Sequence, residues 1–247
     1  FVTGLFYFIN MTKDQKEILS YFQQFLSEHK ADLFEEKVLD RTRHFTIVLE
    51  DLFHPHNASA ILRTCDCLGI QDVHMIENNH QFKNEKDISL GSRKWLTIHK
   101  HNDLASNTPS CIESLKESGY TVAVLNPHQN DISIDEYPIE TKTAFILGAE
   151  KTGLTEHSLK HADVHVKVPM YGFTESYNVS VTAALSSYDL VQRMRSSTLD
   201  WRLSEKEQWE VKLSCTLRSI RSSQKLIKHF IAENPSLASA FPFSEYL

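Results

Sequence analysis

The sequence predicts an α/β protein, a mostly parallel sheet flanked by helices, with helical extensions before and after it. Three observations carry this. Short apolar runs alternate with helix-period stretches through residues 45–194, the pattern of strands joined by crossover helices. Two of these runs, Phe145-Ile146-Leu147 and Val164-His165-Val166-Lys167-Val168, end in loops rich in Gly, Pro, Ser and Asn. In open α/β sheets ligands sit beyond such carboxyl ends of strands. At Arg195 the composition shifts, and the remainder is helical and locally basic.

Residues 1–10 are greasy but lack the basic stretch and cleavage site of a signal peptide, and they read as a tag or non-native extension. Residues 11–44 form an N-terminal helical arm. Ile18, Leu19, Phe22, Phe25 and Leu26 recur at three- and four-residue steps, Thr12 and Gln15 suit a capping box, and a second short helix falls over 31–39. The run FTIVLE (45–50) is the first strand. A helix follows the loop 51–57, with Asn57 placed as its N-cap and Gly69 as its stop. Strands are expected over 72–76, 95–99 and 120–125, a polar loop over 77–87, and a helix over 104–118 closed by Gly119. Strands at 145–147 and 164–168 complete the sheet, and 178–194 is a long amphipathic helix. Residues 195–247 are a C-terminal helical extension with one basic helix, 205–231. There Lys206, Lys212, Arg218, Arg221, Lys225 and Lys228 stand against Glu205, Glu207 and Glu210, and Asn234-Pro235 ends it.

A net charge of −6 counts against general nucleic-acid binding unless basic residues cluster locally. No run approaches the roughly 18 apolar residues that span a bilayer. Cys65, Cys67, Cys111 and Cys215 fit no zinc spacing and no CxxC pair, so they read as reduced thiols of a cytoplasmic protein. Gly148-Ala-Glu-Lys-Thr-Gly153 has no Gly before its Lys and so is not a P-loop, and no GxGxxG follows a strand. His54-x-His56 reads as solvated rather than metal-binding, and the sequon Asn178-Val-Ser180 at a helix start as chance.

Arg63 on the first crossover helix is either a surface side chain or a functional one. Ser176 and Asn178 either cap the long helix or serve a site. Glu150, beside Gly148 at a strand end, is placed to bind a ligand or hold an arginine.

Three stretches decide between these alternatives: LEDLFHPHNASAILRTCDCLGI (49–70), FILGAEKTGL (145–154) and VPMYGFTESYNVSVTAAL (168–185). Together they resemble the three motifs of the SPOUT methyltransferases, and among these the TrmH family of RNA ribose 2′-O-methyltransferases. The resemblance implies an S-adenosylmethionine-dependent enzyme, an obligate homodimer and a trefoil knot in the C-terminal part of the domain, against the usual rule. It implies a cofactor site at Leu125, Asn126, Gly148, Val168, Met170, Tyr177 and Val179. It assigns function to Asn57, Arg63, Glu150, Ser176 and Asn178. Arg63 would stabilise the developing alkoxide, since guanidinium normally stays protonated, or act as base only with help from the substrate phosphate. Asn57 and Glu150 would orient it, and Ser176 and Asn178 would shape the cofactor and guanosine site. The methyl donor is already a sulfonium, so no metal is expected. Tyr177 and Ala149 depart from the usual Leu and Asn. Gly91-Ser92-Arg93-Lys94-Trp95 and the short helical arm resemble the branch that methylates guanosine 18 of the tRNA D-loop. An rRNA 2′-O-methyltransferase and a non-catalytic RNA-binding module are the rival readings.

Overall fold

Alternating apolar residues build a sheet covered on both faces. The computed structural model describes residues 11–80, 91–127 and 132–243. The expected extension at 1–10 and part of the expected loop at 77–87 lie outside them. The chain forms two units, one from Thr42 to Trp201 and the other from the described residues on either side of it.

The first unit holds seven strands: β1 Phe45–Glu50, β2 Asp72–Ile76, β3 Thr97–His101, β4 Thr121–Leu125, β5 Ile132–Ser133, β6 Thr143–Leu147 and β7 Val164–Lys167. They lie in the order β3-β2-β1-β6-β4-β7-β5, and every pairing is parallel. All six residues of β1 are buried, as expected of a central parallel strand. Side chains alternate between faces. Ile47, Leu49, Phe145 and Leu147 pack under α3 (Pro55–Leu68) and α6 (Val179–Arg195). Val48, Val122, Val124 and Ile146 pack under α4 (Thr108–Glu117) on the other face. A short α5 (Glu156–His161) lies against α4.

Several boundaries differ from the sequence reading for local reasons. Pro55 occupies the first turn of α3, so His54 is its N-cap and Asn57 lies inside the helix. The stop at Gly69 is as expected, with φ +82°. β3 starts two residues late because Ser92–Trp95 winds into a 3-10 turn. Helix α4 starts at Thr108, where Pro109 fixes the first turn. β5 and α5 are too short to leave a periodic signal.

In the second unit, α1 (Lys13–Gln23) and α2 (Glu28–Val38) pack with two C-terminal helices, α7 (Glu205–Ser219) and α8 (Ser223–Glu233). The expected single helix over 205–231 is therefore two, parted at Ser222, whose φ is +62°. Ile18, Leu19, Phe22, Trp209, Leu213 and Phe230 form its core. The capping box of Thr12 and Gln15 is present. Lys212 is buried and pairs with Glu35 at 2.8 Å, whereas Arg218, Arg221, Lys225 and Lys228 are exposed. Among the described residues, no helix is long and apolar enough to cross a membrane.

Candidate active site

Where β6 ends, the chain turns back on itself. A Cβ on Gly148 would overlap the backbone of Gly153 and Leu154, so only glycine permits this approach. Ala149 and Gly153 exchange two backbone hydrogen bonds, at 3.1 and 2.9 Å. This closed loop carries Glu150 to the start of α3. There Glu150 Oε1 accepts from Asn57 Nδ2 at 2.7 Å and from the His54 N–H at 3.3 Å, and Oε2 accepts from the Phe53 N–H at 3.1 Å. His54 offers α3 no side-chain cap, so a carboxylate from the loop after β6 supplies it, favourably placed against the helix dipole. Burial opposes the charge on Glu150, but these hydrogen bonds outweigh it and hold its carboxyl below the usual range.

The network continues. Asn57 Oδ1 accepts from Asn178 Nδ2 at 3.3 Å. Asn178 caps α6, its Oδ1 accepting from the Ser180 N–H at 2.8 Å. Glu150, Asn57 and Asn178 thus link the first turn of α3 with the loops after β6 and β7. Beneath them lies a cavity of about 720 Å³. Leu125, Asn126, Gly148, Val168, Met170, Tyr177 and Val179 all line it, as do Glu150, Ser176 and Asn178.

Arg63 does not join this group. It is exposed on α3 and lines a separate groove of about 770 Å³ with Ala60, Leu185 and Tyr188. It lies six helical steps from Asn57, which at about 100° each points the two side chains roughly 120° apart. The solvated reading of His54 and His56 agrees with their exposure.

Two acids escaped the sequence reading. Glu50 is 1% exposed. It accepts from Thr108 Oγ1 (2.7 Å), Ser158 Oγ (2.8 Å) and the Oγ1 and N–H of Thr155 (2.8 and 2.9 Å). It fastens α4 and the end of the Glu150 loop to β1. Asp51 has φ +55°, a left-handed conformation that Asp tolerates. Its carboxylate accepts from the N–H groups of Asn78, Asn79 and His80, at 3.2, 2.8 and 2.8 Å. Burial opposes its charge, yet these bonds hold its carboxyl below the usual range. A charged pair at the end of an apolar strand is the signal that could have found both.

The model of the SpoU rRNA methylase family matches residues 44–188. This chain belongs to that family. A tRNA (guanosine(18)-2′-O)-methyltransferase of Borreliella burgdorferi is 35% identical over 214 residues, 87% of this chain and 96% of the relative. The enzyme of the same name from Thermus thermophilus is 33% identical over 78% of this chain and 97% of its own length. Among solved structures, the TrmH/SpoU tRNA modifying enzyme of Aquifex aeolicus superposes on 79% of this SpoU-family chain with a TM-score of 0.70 at 23% identity, and 98% of that enzyme is covered. The SpoU methyltransferase AviRb of Streptomyces viridochromogenes, solved with AdoMet, shares the fold over 66% of this chain and 65% of its own, with a TM-score of 0.55 at 20% identity.

Proposed function

We propose that this chain transfers a methyl group from S-adenosylmethionine to the ribose 2′-hydroxyl of a tRNA guanosine, guanosine 18 of the D-loop. The observation that carries this is the convergence of the loops after β4, β6 and β7 on one cavity, two of whose lining residues, Glu150 and Asn178, are joined through Asn57. The relatives named for this activity match across most of the chain.

The cavity fits the cofactor. Its walls combine apolar Leu125, Val168, Met170 and Val179 with the main chain at Asn126 and Gly148, and Gly148 leaves its wall free of a side chain. Adenine is well served by such a wall, because backbone N–H and C=O groups supply its partners. S-adenosylmethionine supplies an electrophilic methyl on a sulfonium, so this reading needs no metal for the transfer. Ser176 and Asn178 line the rim and orient the ribose. A hydroxyl attacks well only when its developing charge is stabilised, and Arg63 carries that role. Glu150 and Asn57 steer Arg63 through the helix they anchor, not by direct contact.

The reading includes a homodimer. Val181, Leu185 and Tyr188 are 42%, 44% and 59% exposed. Their spacing of four and three residues puts them on one face of α6. Arg63 lies beside that face, outside the cavity of its own chain. A second copy docked on this face would bury the apolar side chains and complete a site. The reading also includes a trefoil knot in the C-terminal part of the domain, and a cytoplasmic setting where tRNA is met. The exposed Arg218, Arg221, Lys225 and Lys228 give an acidic protein a local basic surface for RNA.

The test is transfer of labelled methyl from S-adenosylmethionine to unmodified tRNA and, in parallel, to rRNA, with nuclease mapping. Label at the ribose of a D-loop guanosine is expected. Label in rRNA alone would replace the substrate, and cofactor binding with no transfer to either RNA would overturn the enzymatic reading.

A further inference from the structure

A cluster of donor atoms lies apart from the cavity, between β2, β3 and α4. The parallel register sets His74 beside His99 and Ile76 beside His101, so the period of two turns all three histidines to the sheet face that α4 covers. The His74 ring stacks on His99 with centroids 4.5 Å apart, and on His101 at 5.4 Å. His74 Nδ1 lies 3.1 Å from His101 Nε2. Cys111 of α4 is fully buried beside them. The donor atoms of His74, His101 and Cys111 all lie within 4.8 Å of one another. None of the three lines the cavity.

We propose that His74, His101 and Cys111 bind one divalent cation of the zinc type. Two imidazole nitrogens and one thiolate sulfur suit a borderline-soft ion. Tetrahedral coordination with bonds of about 2.05 Å to nitrogen and 2.3 Å to sulfur sets the nitrogens about 3.3 Å apart and the sulfur about 3.6 Å from each. The imidazole nitrogens already have nearly this spacing, and the sulfur has at most about 1.2 Å to close. A hydrogen bond between the rings would account for the 3.1 Å but asks nothing of Cys111.

The two imidazoles favour such a site, while the thiol must be deprotonated by the ion itself. Burial, reinforced by the neighbouring imidazoles, lowers His74 to about 3 and holds His101 below its usual value, so both rings are neutral and offer lone pairs. Burial, with the charge of Glu50, pushes the Cys111 thiol up to about 12. On coordination the Sγ–H bond breaks, the Sγ–metal bond forms, and one proton leaves to solvent. Glu50 is no ligand, because both its oxygens are occupied by hydrogen bonds. His99 Nε2 faces Asp72 Oδ1 at 3.7 Å, which leaves the fourth position to water. The ion acts as a clasp. β3 is an edge strand with no fully buried residue, and the site ties it and α4 to β2. This departs from the sequence expectation of no metal, since ligands 27 and 10 residues apart form no motif.

The test uses the full chain, stripped with chelator and titrated with Co²⁺ while absorption is followed. One equivalent should produce a thiolate-to-cobalt charge-transfer band and the visible bands of a tetrahedral site. Zn²⁺ should displace it and raise the Tm. Cys111→Ser and His101→Gln should each weaken binding at least 100-fold and abolish the Zn²⁺ shift. Absence of the charge-transfer band overturns the proposal. So does uptake unchanged in either variant, which would place the ion on surface histidines such as His157 and His161. Should Cys111→Ser fail to fold, His101→Gln decides the matter alone, because its ring is only half-buried.

Discussion

Replacing Glu150 by alanine removes three accepted hydrogen bonds at one stroke, from Asn57 and from the main chain of Phe53 and His54. Helix α3 has no other side-chain cap, so the change amounts to deleting an N-cap with one added side-chain bond, about 1–2 kcal/mol. Phe53 and His54 are exposed. Water therefore re-solvates their N–H groups, and the cost stays below that of a buried orphan. For a chain of this size the Tm should fall by about 2–8 °C. Methyl transfer should fall further, on the order of 100-fold at a temperature where both proteins are folded, because Asn57 and Asn178 lose their anchor and alignment is sensitive to such shifts. The pH dependence has a definite sign. The folded-state carboxyl of Glu150 lies below its unfolded value. Its stabilisation is therefore complete above the unfolded value of about 4.3 and is lost as pH falls through the folded one. Melting curves of parent and Glu150→Ala from pH 7 downward should keep a constant gap to about pH 4.5 and then converge. A gap that persists at the lowest pH, or an unchanged Tm with unchanged transfer, would refute the capping argument.

Arg63→Ala should reduce transfer at least 100-fold while leaving S-adenosylmethionine affinity by calorimetry within about threefold, since Arg63 is outside the cavity; near-parent turnover would remove it from the mechanism. Gly148→Ala should cost about 1–3 kcal/mol by overpacking against Gly153 and Leu154 and weaken cofactor binding, read by denaturant melts and calorimetry. Glu50→Gln places an amide among four donors and should destabilise the fold by about 2–4 kcal/mol, read by urea unfolding; a loss under 0.5 kcal/mol would contradict the role given to that carboxylate. Leu185→Asp puts a charge on the exposed face of α6 and should convert a dimer to monomers by sedimentation equilibrium; a parent protein that is already monomeric refutes the docking surface.

The strands at 45–50 and 72–76 and the helix stop at Gly69 were legible because each has a local cause, an apolar run or a left-handed turn. The break at Ser222 was not. Its flanks are both helical in pattern, and a left-handed serine has no sequence signature. Asn57 shows a subtler failure. Its residue type suits an N-cap, yet Pro55 two residues earlier takes over the start of the helix, and the amide turns to Glu150, 93 residues away. The cavity lining could be listed from motif positions, whereas the direction of Arg63 could not, because that depends on the angular step between two residues of one helix. Glu50 and Asp51 were passed over since their partners are backbone and hydroxyl groups from distant loops, which no spacing announces.

The carboxylates at the strand ends bear on how a polyanion can approach an acidic protein. Glu50, Asp51 and Glu150 would form a repulsive ring if their charges faced outward. Each is instead turned on converging N–H and O–H dipoles, and Glu50 and Asp51 are also buried. The dipoles shorten the reach of the negative field, and salt screens what remains over about 8–10 Å. At the mouth of the cavity the exposed Lys151 stands over the ring of Phe53, 5.2 Å away. Lys151 thus sets one positive charge in the lining of that cavity, in a molecule whose net charge is −6.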